Sequence, residues 1–275
     1  MPELHHTKKA SPSEVYATAL APLLEGYALW YPEPHASGEV RLCDVGYIRD
    51  GAFVRILNAS PDTERSKVDF WTPRPDELTP LSYSSIICDT RNKAFAPGVY
   101  RSEGLEETEG QLQISPPGCS VNAALNIGYS CNAEQGALLM LNGPGNKEVL
   151  FDKDDIRGYI LDNHDYWYHY ARSVLQLRIQ HEDLVFVRGY VKTSPDWLVA
   201  SFSSTGSKIK ASLNAASAAF GSANLTVSNT RAHRGSPIVR FGRNLYENPE
   251  SLPKEEPNMS QCILVQRYVV KKTDI

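Results

Sequence analysis

Two apolar-rich runs, 40–48 and 52–57, flank the dipeptide Asp50-Gly51. Alternation with a period of two predicts half-buried strands, and a dipeptide at ease with positive φ predicts the tight turn of a hairpin. Within the first run the apolar phase slips from Val40 and Leu42 to Val45 and Tyr47, so a bulge is expected near Asp44. A cleaner alternation sets Val121, Ala123, Leu125, Ile127 and Tyr129 against Asn122, Ala124, Asn126, Gly128 and Ser130, the pattern of a strand with one wet face. Further strands are predicted at 137–141, 184–191, 197–202, 209–215, 223–227 and 263–270, with Ser194-Pro195-Asp196 as a turn.

Residues 152–175 change period. At 100° per residue, Ile156, Tyr159, Ile160, Trp167, Tyr170, Ala171 and Val174 share an arc of about 120°, with Asp162, Asp165, His169 and Arg172 opposite. This predicts an amphipathic helix lying on a sheet, with Asp152 as its N-cap and Asp154 and Asp155 in the first turn, where the helix dipole favours negative charge.

Between these elements, 60–80 carries four prolines among charges and reads as a surface loop that Phe70 and Trp71 pin to the body. Residues 102–118 are acidic, end in Pro116-Pro117-Gly118 and read as a linker. The expected organisation is a β-rich N-terminal region (1–101), that linker, and a sheet or sandwich domain (119–275) carrying the helix. Strands segregated from a helix, rather than alternating with helices, predict a β-rich α+β fold: a mainly antiparallel sheet or sandwich with one amphipathic helix packed on it. They argue against a doubly wound nucleotide-binding sheet.

Composition narrows the partners. With 41% apolar and 22% charged residues the chain is that of a folded protein, and a net charge of −4 supplies no positive field for a phosphate backbone. Nucleic acid is not expected as a partner. The first residues lack the apolar core of a secretory signal, and no apolar run approaches the roughly 18 residues of a membrane helix. A cytoplasmic location is expected. Five cysteines without a C-x-x-C pair suit reduced thiols rather than a disulfide framework or a zinc finger.

The candidate chemistry lies on the helix. Asn163 falls inside the apolar arc and His164 at its edge, so both are expected to face the sheet, where an unsatisfied polar group costs about 1–3 kcal/mol. Two readings follow: a structural tie to the sheet, or a pocket in which His164 titrates or binds a ligand beside Asn163, with Trp167 as an apolar wall. His169, one turn after Asp165, reads as a solvated partner of that carboxylate. No His-x-x-x-His, complete P-loop or G-x-S-x-G elbow occurs, so no metal, cofactor or catalytic triad is assigned.

Several stretches, among them Gly26-Tyr27-Ala28-Leu29-Trp30-Tyr31-Pro32-Glu33-Pro34, Asp44-Val45-Gly46-Tyr47-Ile48, Asn163-His164, Trp167-Tyr168 and the run from Asp183 to Thr193, resemble a family of cytosolic proteins abundant in mushroom-forming fungi. The likeness spans nearly the whole chain and implies a fungal intracellular protein of one recurring architecture, without implying an activity or site residues. The leading expectation is an intracellular binding or protein-interaction module for an unknown protein or small-molecule ligand. One alternative is a hydrolase or transferase acting through a helix–sheet pocket around His164. Another is a membrane-permeabilising β-hairpin at 208–228, where Ile209, Ala211, Leu213 and Ala215, then Ala223, Leu225 and Val227, alternate with polar residues. A membrane is the less expected partner, because small residues on that face gain little from lipid at roughly 25 cal/mol per Å².

Overall fold

The computed structural model describes residues 10–61, 78–108, 112–113, 124–131, 133–194, 197–203, 209–216, 224–227, 238–242 and 260–271. The expected pinning of Phe70 and Trp71 and the turn at Pro195-Asp196 lie outside them. Ser11 and Glu14 start the first element, helix α1 (Pro12–Leu20). The Glu14 amide donates to Ser11 Oγ at 3.2 Å and the Ser11 amide to Glu14 Oε2 at 2.7 Å. This reciprocal pair satisfies two donors that an open helix end leaves bare, and Pro12 occupies a first-turn position that needs no N–H.

The expected hairpin forms from β2 (Asp44–Arg49) and β3 (Ala52–Asn58). Asp50 (φ 52°) and Gly51 (φ 89°) both lie in the left-handed region. At Gly51 a Cβ would stand 2.5 Å from Trp30 Cβ and 2.6 Å from Ser13 Cβ, so glycine serves both the turn and the close passage of α1. The register slips between Val45 and Gly46, close to the expected place, but the extra residue is Ile56 on the partner strand β3. Val40 and Leu42 are buried but precede the strand.

Every ladder among the described strands is antiparallel. A seven-stranded sheet runs β1 (Tyr27–Ala28), β16 (Gln261–Val269), β11 (Leu184–Thr193), β10 (Gly145–Leu150), β4 (Cys88–Phe95), with the β2–β3 hairpin joined to β11 through β2. It draws strands from both sides of residues 102–118. A four-stranded sheet runs β15 (Ile238–Phe241), β12 (Trp197–Ser203), β9 (Gln135–Leu141), β5 (Gly98–Arg101). A third sheet runs β14 (Asn224–Val227), β13 (Ile209–Ala216), β8 (Ala124–Cys131), β6 (Leu105–Thr108), with β7 (Leu112–Gln113) also on β8. Residues 102–118 thus contribute two strands. The β-rich α+β class read from the sequence is the fold observed.

Helix α2 (Asp154–His169) packs on the seven-stranded sheet, burying Ile156, Ile160 and Trp167 against Leu150, Leu184 and Phe186. Its ends differ from expectation. Lys153, not Asp152, is the N-cap residue and makes no side-chain cap. The Asp152 carboxylate accepts from the Tyr268 hydroxyl and from the Arg157 guanidinium (3.0 Å from Nε), which hold its pKa below the ordinary carboxylate value. At the C-terminal end the helix widens into a π-turn, Tyr170–Val174, with Leu175 N bonding Tyr170 O at 3.1 Å. An extra residue in that turn delays the apolar phase, so Val174, expected inside, is 61% exposed. A second core forms where Tyr16 and Leu20 of α1 meet Leu139, Leu141, Trp197 and Val199, closed by Val191 and Ile263 of the seven-stranded sheet.

Candidate functional site

The three residues singled out on α2 have different fates. Trp167 is buried, its ring stacked on Phe186 (centroids 6.2 Å apart, planes 18°) and tilted against Tyr159, so it fills the helix–sheet core. Asn163 is half-buried, and its Nδ2 donates to Tyr159 O at 2.8 Å, one turn back on its own helix. The expected reach of this amide to the sheet is replaced by a local bond that satisfies it more cheaply, as short polar side chains often do on helices. His164 is buried, with Nε2 3.1 Å from the carbonyl oxygen of His181 in the segment that follows the helix.

His181 belongs to a short 3-10 turn, His181–Asp183, just before β11, and its ring stacks on Tyr168 at 3.6 Å. Asp165, exposed on the helix surface, places Oδ1 3.5 Å from His181 Nδ1 and 3.9 Å from His164 Nδ1. The expected partner of Asp165 was His169. That residue is exposed and sets its ring edge-on to Tyr168 instead, since a five-residue return, 176–180, carries His181 back beside the carboxylate. Sequence spacing could not show this: the convergence depends on where the chain turns after the π-turn.

A second polar cluster had no sequence signal beyond its residue types. Arg55 and Asp44 face each other across the β2–β3 hairpin with Nε 2.6 Å from Oδ1, both side chains at most 2% exposed. Asn58 Nδ2 (2.7 Å) and the Arg41 amide (2.7 Å) also donate to Asp44, and Arg55 Nη1 donates to Ser37 O at 2.9 Å. Burial pushes the Asp44 carboxyl above its ordinary value, against the pull of Arg55 and Asn58. Every partner here is internal, so the cluster fixes the 35–44 segment to the hairpin rather than meeting a ligand.

Open surface lies elsewhere. Three adjoining clefts of about 520, 400 and 480 Å³ run from the end of β2 and the 176–183 return, past the hairpin turn, to α1, β1 and Arg267 of β16. The first and second share Ile48 and Asp183, and the second and third share Tyr27 and Arg267. None of the three is lined by Asn163, His164 or Trp167. Glu14, Asp50, Glu182 and Asp183 give the middle cleft an acidic wall. Its one cation, Arg267, lies with its guanidinium 4.4 Å from the centre of the Tyr27 ring, and burial lowers its pKa from the ordinary value. Beside this cleft β16 changes character: β1 pairs with it only at Leu264 and Val265, and Gln266–Val269 has a ladder partner, β11, on one side alone among the described strands.

No family model, curated protein or solved structure matches the chain, so its functional reading rests on its own geometry.

Proposed function

We propose that the chain is a protein-interaction module that receives an extended, positively charged segment along the open side of β16. One observation carries the reading: Arg267, within the half-paired stretch Gln266–Val269, lines a cleft walled by four carboxylates. A peptide laid there could add main-chain hydrogen bonds to the sheet edge while its Lys or Arg side chains meet Glu14, Asp50, Glu182 and Asp183. Arg267, which with Tyr27 lines both the second and the third cleft, is the one cation among the lining residues of the acidic cleft. The test is fluorescence anisotropy with short extended peptides of opposite charge. Lys-rich peptides bind, weaken as salt shortens the Debye length to about 8–10 Å, and lose affinity on Glu182→Lys, an exposed position whose change leaves the fold intact. Equal binding of Lys-rich and Glu-rich peptides, or no effect of Glu182→Lys, would overturn the reading.

A second reading is favoured by the register of the third sheet. The pairs Leu213↔Leu225, Leu213↔Ile127, Ala215↔Leu125, Leu112↔Leu125 and Ile209↔Cys131 place apolar residue types on one face across four strands. Ser212↔Thr226, Asn214↔Asn224, Asn214↔Asn126 and Lys210↔Ser130 place polar types on the other. The ladder also follows the β9–β12 pairing, which ends at Gln135↔Ser203 before β8–β13 begins at Cys131↔Ile209. A two-faced hairpin in such a setting is what a closed β-barrel in a bilayer requires. Dye release from liposomes that Leu213→Asp abolishes is the outcome this reading expects; intact vesicles at high protein excess would dispose of it.

A further inference from the structure

We propose that His164, Asp165 and His181 form a binding site for one divalent transition-metal ion of the zinc type. The site is independent of either functional reading above. One donor atom from each residue lies within 4.8 Å of the other two, and Asp165 Oδ1 stands between the imidazole nitrogens at 3.5 and 3.9 Å. Ligands at about 2.0–2.1 Å around a tetrahedral ion are separated by roughly 3.3–3.5 Å, so the His181–Asp165 pair already has the required spacing. The His164–Asp165 pair needs a closure of a few tenths of an ångström, which the exposed Asp165 can supply by rotating, and the two histidine donors, within 4.8 Å of each other, draw together on the ion.

The tautomers agree with this assignment. A carbonyl oxygen only accepts hydrogen bonds, so the contact of His164 Nε2 with His181 O makes Nε2 the N–H of the neutral ring. The lone pair of His164 is then on Nδ1, directed to the side where Asp165 Oδ1 and His181 Nδ1 lie. A ligand histidine whose other nitrogen donates to a backbone carbonyl is the usual outer-shell arrangement of metal sites, because it fixes ring orientation and raises basicity. His181 is held in turn by its stack on Tyr168.

Two imidazole nitrogens and one carboxylate oxygen are a borderline donor set suited to Zn²⁺ and its neighbours rather than to Ca²⁺ or Mg²⁺, which demand more oxygen ligands. Three protein ligands leave a fourth position, and Asp165, 71% exposed, places it toward water. Bound there, the ion would tie the middle of α2 to the turn that launches β11.

The experiment uses the full chain with His5 and His6 replaced by alanine throughout, since a terminal histidine pair can take up ion by itself. After chelator treatment and dialysis, Zn²⁺ is titrated calorimetrically and Co²⁺ is followed by its visible d–d bands. The expected result is one ion per chain with a low-coordinate Co²⁺ spectrum, and an affinity at least about tenfold lower in both Asp165→Asn and His181→Gln. His169→Ala, which removes a nearby histidine outside the cluster, retains the wild-type affinity. Circular dichroism and thermal melting without metal confirm that the variants fold, and Asp165→Asn, being on the surface, keeps the test open if His181→Gln does not. Absence of the Co²⁺ bands, or the same Zn²⁺ affinity in wild type and Asp165→Asn, would overturn the assignment.

Discussion

At the scale of single residues, burial decides which polar groups are structural. Arg55 and Asp44 share a water-free space, and each satisfies the other with help from Asn58, Ser37 and the Arg41 amide. Removing one member leaves an uncompensated buried charge, so Arg55→Met is expected to cost about 3–5 kcal/mol of stability. The double variant Asp44→Asn, Arg55→Met loses less, because no lone charge remains. Urea midpoints measure both, and a loss under about 1 kcal/mol for the single variant would show that the pair is dispensable. His164 is the residue for which the sequence said most and least. Its place at the edge of the apolar arc announced a buried imidazole, yet its partners lie on a return segment whose path no periodicity records. Cys262 illustrates the same rule for thiols: burial pushes its pKa up to about 12, and it forms no disulfide, nor do the described Cys43, Cys88 and Cys131.

At the scale of elements, what was legible was what repeats. The hairpin at Asp50-Gly51, the centre of α2 and the strands expected at 184–191, 197–202 and 263–270 follow from period, and all are present, the last three as β11, β12 and β16. Three kinds of element escaped. Helix α1 is short, and its signature lies in the Ser11-Pro12-Ser13-Glu14 cap rather than in an apolar stripe. β4 is a strand of charged and polar residues, half-buried Asp89 and exposed Thr90-Arg91-Asn92-Lys93, held by its ladder to β10 and not by burial of its side chains. β6 is acidic, and pairing with β8 outweighs its composition. The end of α2 moved because a π-turn is a packing adjustment that no helical wheel contains. β16 is the element on which most depends: it is the only described partner of β1 and a ladder neighbour of β11 along most of its length. A chain ending at Ser260 should therefore lose its cooperative thermal transition, as read by calorimetry. A sharp transition retained in that truncation would show that the sheet closes without β16.

At the scale of the molecule, sequence-distant strands are interleaved, so the site belongs to no single stretch of chain. Tyr27 and Glu14 come from the beginning, Asp50 from the hairpin, Glu182 and Asp183 from the approach to β11, and Arg267 from the last strand. No window of the sequence contains the acidic cleft; it exists only after β1, β11 and β16 are side by side. The same interleaving separates the cleft from the histidine cluster: His181 stands just ahead of Glu182 and Asp183 in the chain, but its ring is turned to Tyr168 and Asp165. Among the described residues no helix is long and apolar enough to cross a membrane, which leaves the β13–β14 hairpin as the element to test against lipid.

The central claim is that the open side of β16 is where a partner segment is received, and amide hydrogen exchange tests it most directly. With the chain saturated by a Lys-rich peptide, exchange at Gln266–Val269 is expected to slow relative to the free protein, while a Glu-rich peptide at the same concentration leaves it unchanged. Protection that appears away from β16, or that is the same for both peptides, would contradict the account.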